Sequence, residues 1–192
     1  MNIFLTGASG FVGRNVLDYL RLHVADARVT CLLRDPAKLS DCEGAKNITL
    51  LPGDLLRPES YKEALKDADV VIHAAALVSL RNGPEFYAAN VEATQRLLEA
   101  ASNAKDLSRF VFVGSISSFE REPGRKITGP VTEESKPYPA TDYGKSKLEA
   151  EKRVMKSGLP YAIVRPSYIY GPYPRVKGSM DRMVYEVRAG KP

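Results

Sequence analysis

Short apolar runs alternate with amphipathic stretches along the chain, and this alternation predicts six strands with helices between them. Residues 3–5 form the first apolar run. From Phe11 onward, Phe11, Val12, Val16, Leu17 and Leu20 recur at helical spacing. Residues 28–33 (Arg-Val-Thr-Cys-Leu-Leu) read as a second strand, closed by a turn over 34–38. A third strand over 48–51 ends at Gly53-Asp54, and a short helix over 59–66 follows Pro58. Residues 70–75 are apolar almost throughout, as in a strand covered on both faces. A longer helix over 86–101 carries Val91, Leu97, Leu98 and Ala101 on one face. A fifth strand over 109–113, a helix over 143–155, a sixth strand over 161–165 and a last helical pattern over 180–188 complete the series. Strands alternating with helices imply a doubly wound α/β fold: a mostly parallel sheet, right-handed crossovers and helices on both faces. The longest irregular stretch, 117–141, is rich in Pro, Gly and charge, the mark of a functional or mobile loop.

Composition narrows the class without changing it. The 192 residues, 44% hydrophobic and 27% charged, fit one ordinary globular domain. No apolar run is long enough to span a membrane, and the longest, over 70–78, is interrupted by His73. The first residues already belong to a strand, so no leader is expected. Cys31 and Cys42 have no metal-ligand or redox spacing. Cys31 is expected as a buried free thiol, which points to a reducing compartment, the cytoplasm. The net charge is +5, but the basic residues are scattered and no basic stripe interleaves with aromatics. Surface charge plus a few phosphate-binding residues is therefore expected, not a nucleic-acid partner.

The candidate chemistry begins at Gly7, Gly10 and Gly13, between the first strand and the first helix. A helix start presents unpaired N–H groups and a positive dipole end, which suit a pyrophosphate. The spacing Gly-x-x-Gly-x-x-Gly differs from the Gly-x-Gly-x-x-Gly dinucleotide fingerprint, and alone it also fits a tight turn without a ligand. Its place at the end of the first strand favours the nucleotide. After the second strand, Arg34 stands where an acidic residue would bind the adenosine ribose, with Lys38 four residues on. Cations there suit a 2′-phosphate. One charge-assisted hydrogen bond contributes about 1.5–3 kcal/mol, or roughly a ten- to hundredfold preference for NADP over NAD. Asp35 adjoins and complicates this, and a solvated turn arginine is the alternative. Asp54 is placed for the adenine amino group, with a plain turn aspartate as its alternative.

Tyr143 and Lys147 lie four apart on a predicted helix and share a face. An ammonium beside a phenol favours the phenolate, so tyrosine can exchange a proton with a carbonyl or alcohol. Ser115 ends the fifth strand, where a hydroxyl can hold the substrate oxygen. Ser117 and Ser118 compete for that role. No Gly-x-Ser-x-Gly elbow is present, and His23 and His73 build no hydrolytic triad. His73 reads as a strand-end histidine near the cofactor. Glu133 and Glu134 read as solvated.

Taken in order, these pieces resemble the extended short-chain dehydrogenase/reductase family, also called the NAD-dependent epimerase/dehydratase family. The matching residues are Thr6-Gly-Ala-Ser-Gly-Phe-Val-Gly13, Gly53-Asp-Leu55, Val71-Ile-His-Ala-Ala-Ala76, Asn90-Val-Glu-Ala-Thr-Gln-Arg-Leu-Leu98, Ser115, Tyr143-Gly-Lys-Ser-Lys147 and Arg165-Pro-Ser-Tyr-Ile-Tyr-Gly-Pro172. The resemblance implies a Rossmann-type fold and assigns roles. Gly7, Gly10, Phe11, Val12 and Gly13 would line the pyrophosphate, and Asp54 and Leu55 would hold the adenine. Ala74, Ala75 and Ala76 would pass beside the cofactor, and Asn90 would support the sheet. Ser115, Tyr143 and Lys147 would be catalytic, Lys147 also holding the ribose. Pro166 and Ser167 would flank the nicotinamide. No Asp-Glu pair follows Ser115, which argues against dehydration. Residues 31–38 look like those of NADP-dependent carbonyl reductases related to dihydroflavonol reductase, and 75–79 also resemble the 3β-hydroxysteroid dehydrogenase-like group. Members ordinarily continue well beyond this length. The expected organisation is a nucleotide-binding domain over 1–172 and the start of a truncated substrate region over 173–192. The expected function is NADP-dependent hydride transfer, with NAD as the alternative cofactor, on a small-molecule carbonyl or secondary alcohol. Epimerisation of a nucleotide sugar, or a non-catalytic NADP-binding sensor or scaffold, are the rival readings, and a homodimer stays open.

Overall fold

The computed structural model describes residues 1–79, 83–120, 129–171 and 187–188. Pro172 and most of the helix predicted over 180–188 lie outside the described residues. Six strands form one all-parallel sheet: β1 (Asn2–Thr6), β2 (Arg28–Leu33), β3 (Ile48–Pro52), β4 (Val70–His73), β5 (Arg109–Val113) and β6 (Tyr161–Val164). Their order is β3-β2-β1-β4-β5-β6, the Rossmann arrangement. It reverses direction between β1 and β4, and that switch point opens a crevice at the carboxyl ends of the strands.

Side-chain alternation along the strands builds two cores. Ile3, Leu5, Val29, Cys31 and Leu33 point to one face, under α1 (Phe11–His23) and a 3-10 segment, Pro36–Cys42. Phe4, Leu32, Val71, Phe110 and Phe112 point to the other, where α2 (Lys62–Leu65), α3 (Ala93–Ala101) and α4 (Asp142–Lys156) supply Leu65, Leu97, Ala150 and Val154. Both cysteines are buried free thiols, and burial pushes the Cys31 thiol up to about 12. No helix among the described residues is long and apolar enough to cross a membrane.

Several elements depart from the periodicity. The helix predicted over 59–66 shrinks to a 3-10 turn, Pro58–Ser60, and the single α-turn of α2. Between them the backbone of Tyr61 leaves helical geometry (φ −143°), and its ring enters the core while its hydroxyl donates to the Leu55 carbonyl. The helix predicted over 86–101 begins as a π-turn, Tyr87–Glu92, before becoming α3. Strand β4 stops at His73, two residues short of the predicted end, because its neighbour β1 turns away at Gly7. The next amides, of Ala74 and Ala75, donate instead to the carbonyl and hydroxyl of Thr6. The irregular stretch after β5 opens with a 3-10 turn, Ile116–Phe119, and returns where the Tyr138 N–H donates to the Ser118 carbonyl.

Candidate active site

The glycine loop is shaped first by the protein itself. Gly7 has φ +74°, and a Cβ there would meet the Ala75 amide nitrogen at 2.5 Å. Gly13 packs against Gly7 with no room for a side chain. Gly10 is the N-cap of α1, which has no side-chain cap and no acidic residue in its first turn. The start of α1 therefore offers backbone donors to an anion beside the switch point, and a pyrophosphate fits this cradle.

A groove of about 440 Å³ runs from this loop along the strand ends. Gly7, Gly10, Arg34, Asp54, Leu55 and Ala74 to Ala76 line it; Phe11, Val12, Gly13, Lys38, Lys147, Pro166 and Ser167 do not. The sequence had not singled out Ser9, Leu32, Leu56 or Glu85, which also line it. Arg34 is exposed at its edge. The Asp35 carboxylate caps the 3-10 segment by accepting from the Ala37 N–H at 3.2 Å, so it is turned toward the backbone. That segment is clasped to α1: Arg14, buried, pairs with Asp18 and with Asp41. Asp54 Oδ1 accepts from the Leu56 N–H at 2.8 Å, the plain turn role weighed as its alternative.

Behind the groove, a buried polar chain ties four elements together. Thr94 Oγ1 donates its proton to the Asn90 carbonyl at 2.5 Å, so toward His73 Nε2 (2.9 Å) it accepts. His73 therefore carries its proton on Nε2, and its Nδ1 accepts from the Thr6 hydroxyl at 2.7 Å. Burial, with Lys147 nearby, lowers the imidazole pKa to about 3, so His73 is neutral. The Asn90 side chain accepts from the Leu77 N–H at 2.7 Å and donates to the Leu77 carbonyl and to Ser146 Oγ on α4. Asn90 thus holds the loop after β4 against α4, and the π-turn is the backbone that presents it there.

The Ser115 turn and the first turn of α4, which carries Tyr143, meet at the end of β5. Ser115 is buried, N-caps the 3-10 turn and accepts from the Ser117 N–H at 3.1 Å, and its side chain acts to lower the Tyr143 phenol against the effect of burial. Its two rivals, Ser117 and Ser118, lie in the same turn. The Ser117 carbonyl packs on α4, and the Ser118 hydroxyl is buried without a partner. The contact with Ser117 falls on Gly144, where no Cβ fits, so the first turn of α4 lies directly on the Ser115 turn. Thr141 caps that turn by accepting from the Gly144 N–H at 3.0 Å.

The electrostatics differ from the sequence expectation at one point. Tyr143 is raised by burial, partly offset by Ser115, and Lys147 is not a cause of any lowering. The Lys147 ammonium instead donates to the Val113 carbonyl at 2.7 Å and lies 4.3 Å from the centre of the Phe112 ring. Burial brings Lys147 down to about 8, opposed by Glu151. Glu151 was missed in the sequence. It lies one turn beyond Lys147, is buried, and both its oxygens accept from Arg165. Glu133 and Glu134 are exposed, as expected.

The model of the NAD dependent epimerase/dehydratase family matches residues 3–192. Among curated proteins the chain is 34% identical to the 4-hydroxy-2-methyl-3-oxo-4-farnesyl-3,4-dihydroquinoline-1-oxide ketoreductase of Stigmatella aurantiaca, covering 89% of this chain and 51% of that one. It is 29% identical to the UDP-glucose 4-epimerase of Vibrio cholerae, over 100% of this chain and 58% of that one. Among solved structures, the UDP-glucuronic acid 4-epimerase of Bacillus cereus in complex with UDP-glucuronic acid and NAD superposes with a TM-score of 0.83. The identity is 26%, over 100% of this chain and 64% of that one. The chain spans little more than half the length of these two curated relatives.

Proposed function

Since the chain belongs to the NAD-dependent epimerase/dehydratase family, we propose that it is an NADP-preferring oxidoreductase acting on a carbonyl or secondary alcohol. The observation that carries this reading is the first turn of α4, which bears Tyr143, packed directly on the turn that Ser115 caps, with Lys147 one helical turn on. A bound nicotinamide supplies or takes the hydride. Tyr143 exchanges the proton with the substrate oxygen, and Ser115 orients that oxygen by hydrogen bonding. Lys147 holds the ribose. The uncapped start of α1 binds the pyrophosphate. Pro166 and Ser167 flank the nicotinamide, and Ala74 to Ala76 form a small-residue wall beside the cofactor. Arg34, at the groove edge, favours a 2′-phosphate, because Asp35 is held by the Ala37 amide.

Replacing Tyr143 with Phe is expected to abolish turnover of a carbonyl panel while nucleotide affinity stays within about twofold. Turnover in Tyr143→Phe at the wild-type rate would overturn the assignment. A second reading, epimerisation of a nucleotide sugar through the same site, is favoured by the likeness to the UDP-glucuronic acid epimerase over the whole chain. The two differ in cofactor balance: a reductase consumes NADPH stoichiometrically, whereas an epimerase returns the hydride and leaves the nucleotide pool unchanged.

A further inference from the structure

Tyr143, Lys147 and Glu151 stand at i, i+4 and i+8 on α4 and so share one face. Glu151 is 3% exposed, and a carboxylate that deep needs a partner. Arg165, just past β6, supplies it in a two-point clasp: Nε donates to Oε2 at 3.0 Å and Nη2 to Oε1 at 2.7 Å. The same guanidinium lies 4.8 Å from the ring centre of Phe119, the last residue of the turn that Ser115 caps. Gly114 sits above the carboxylate, where an added Cβ would lie 3.3 Å from Glu151 Oε2 and 3.3 Å from the Val164 carbonyl. The pair thus joins α4, the end of β6 and the Ser115 turn, directly before Pro166 and Ser167.

Packing alone does not call for charges there. A buried ion pair is often replaceable by apolar side chains at no loss of stability. We propose that the Glu151–Arg165 pair is a positioning device for the proton-transfer face: Glu151 holds Lys147 as an ammonium, and Arg165 fixes that carboxylate to the strand end leading into Pro166 and Ser167. The proposal rests on the oxidoreductase reading for its purpose, but the coupling it asserts is a property of the folded chain.

The charged and titratable groups around Lys147 are Tyr143 and Glu151 on α4, His73 on β4, and Arg165 behind Glu151, with Glu133 acting on Arg165 in turn. His73 is neutral, and burial opposes the ammonium. Glu151 is the group that favours it. Arg165 offsets part of the Glu151 field. Removing the two partners should therefore move Lys147 in opposite directions.

The test is the titration of the Lys147 side chain, followed by NMR of isotopically labelled lysine in the full chain and assigned by its loss in Lys147→Arg. Glu151→Gln is expected to lower the Lys147 titration by about one pH unit or more. Arg165→Gln is expected to raise it. Where the wild type turns over a substrate, the alkaline limb of its pH profile should move down with Glu151→Gln. An unchanged or upward shift in Glu151→Gln, as simple loosening would give, overturns the coupling. Should Glu151→Gln fail to fold, Arg165→Gln decides: an unchanged or lowered titration overturns it. Failure of the wild type to bind NADPH or NADH, with both shifts intact, overturns the oxidoreductase reading and leaves the coupling supported.

Discussion

His73 ties stability to protonation over a defined pH window. Its pKa falls from the usual 6.5 to about 3 in the fold. Between those values the unfolded chain binds the extra proton, so stability is full above pH 6.5 and is lost as pH falls toward 3. The contribution is on the order of a few kcal/mol. Denaturant unfolding of the wild type at pH 7, 5.5 and 4 should show a steeper loss than that of His73→Gln, which lacks the titrating ring. Parallel slopes for the two would show that the imidazole is not held neutral. The side chain was legible as a strand-end histidine near the site, because its position follows from the run of β4. Its partners Thr6 and Thr94 were not, since each comes from a different element and their sequence spacing carries no trace of the contact. Glu151 escaped for the same reason. On a helix with a polar face, a glutamate four residues past a lysine reads as a solvated pair, and only Arg165, fourteen residues later, shows that it is buried.

At the scale of elements, α4 works because it lies flush on the Ser115 turn. Gly144 lets it do so, and a methyl group there must displace the Ser117 carbonyl. Gly144→Ala should destabilise the chain by about 1–3 kcal/mol, the cost of overpacking. It should also lower kcat more than it weakens nucleotide binding, because it moves Tyr143 away from Ser115 and leaves the glycine loop untouched. Urea unfolding and a KM-against-kcat comparison check both parts, and an unchanged kcat would show that this contact does not set the alignment. Elements of this kind were read correctly where one signal dominated. β2 and β5 fall on their predicted ends, because apolar side chains alternate between two covered faces. Where tertiary contacts compete with local pattern, the reading slipped. The core takes the Tyr61 ring and breaks the helix around it, and Asn90 bonds Leu77 and Ser146 through a π-turn that no hydrophobic period announces. The glycine loop was legible as a whole, yet Gly7 and Gly13 answer first to the backbone around them.

At the scale of the whole molecule, the groove gathers residues from both halves of the sheet. β1 and the glycine loop lie at its centre, Arg34 and Asp54 follow β2 and β3, and Ala74 to Ala76 follow β4 on the other side. A nucleotide spanning it stabilises the folded chain by mass action alone, about 2.7 kcal/mol at a hundred times its Kd. For a chain of this size that corresponds to a rise in Tm of roughly 5–10 °C. NADPH and NADH differ only in the 2′-phosphate, so any difference between their effects at equal concentration reports the groups facing that position. Arg34 is exposed and lines the groove, whereas Lys38 does not line it. The selectivity should therefore reside mainly in Arg34. NADPH is expected to raise Tm more than NADH in the wild type, and Arg34→Ala should erase the difference while changing the Tm of the free chain little, as a surface substitution does. Lys38→Ala should reduce the difference without erasing it. Equal shifts with the two nucleotides in the wild type would assign Arg34 to the turn alone and leave no preference between NADP and NAD. That outcome would leave the proton-transfer face at Ser115 and Tyr143 as it stands, because it lies at the end of β5, on the far side of β4 from Arg34.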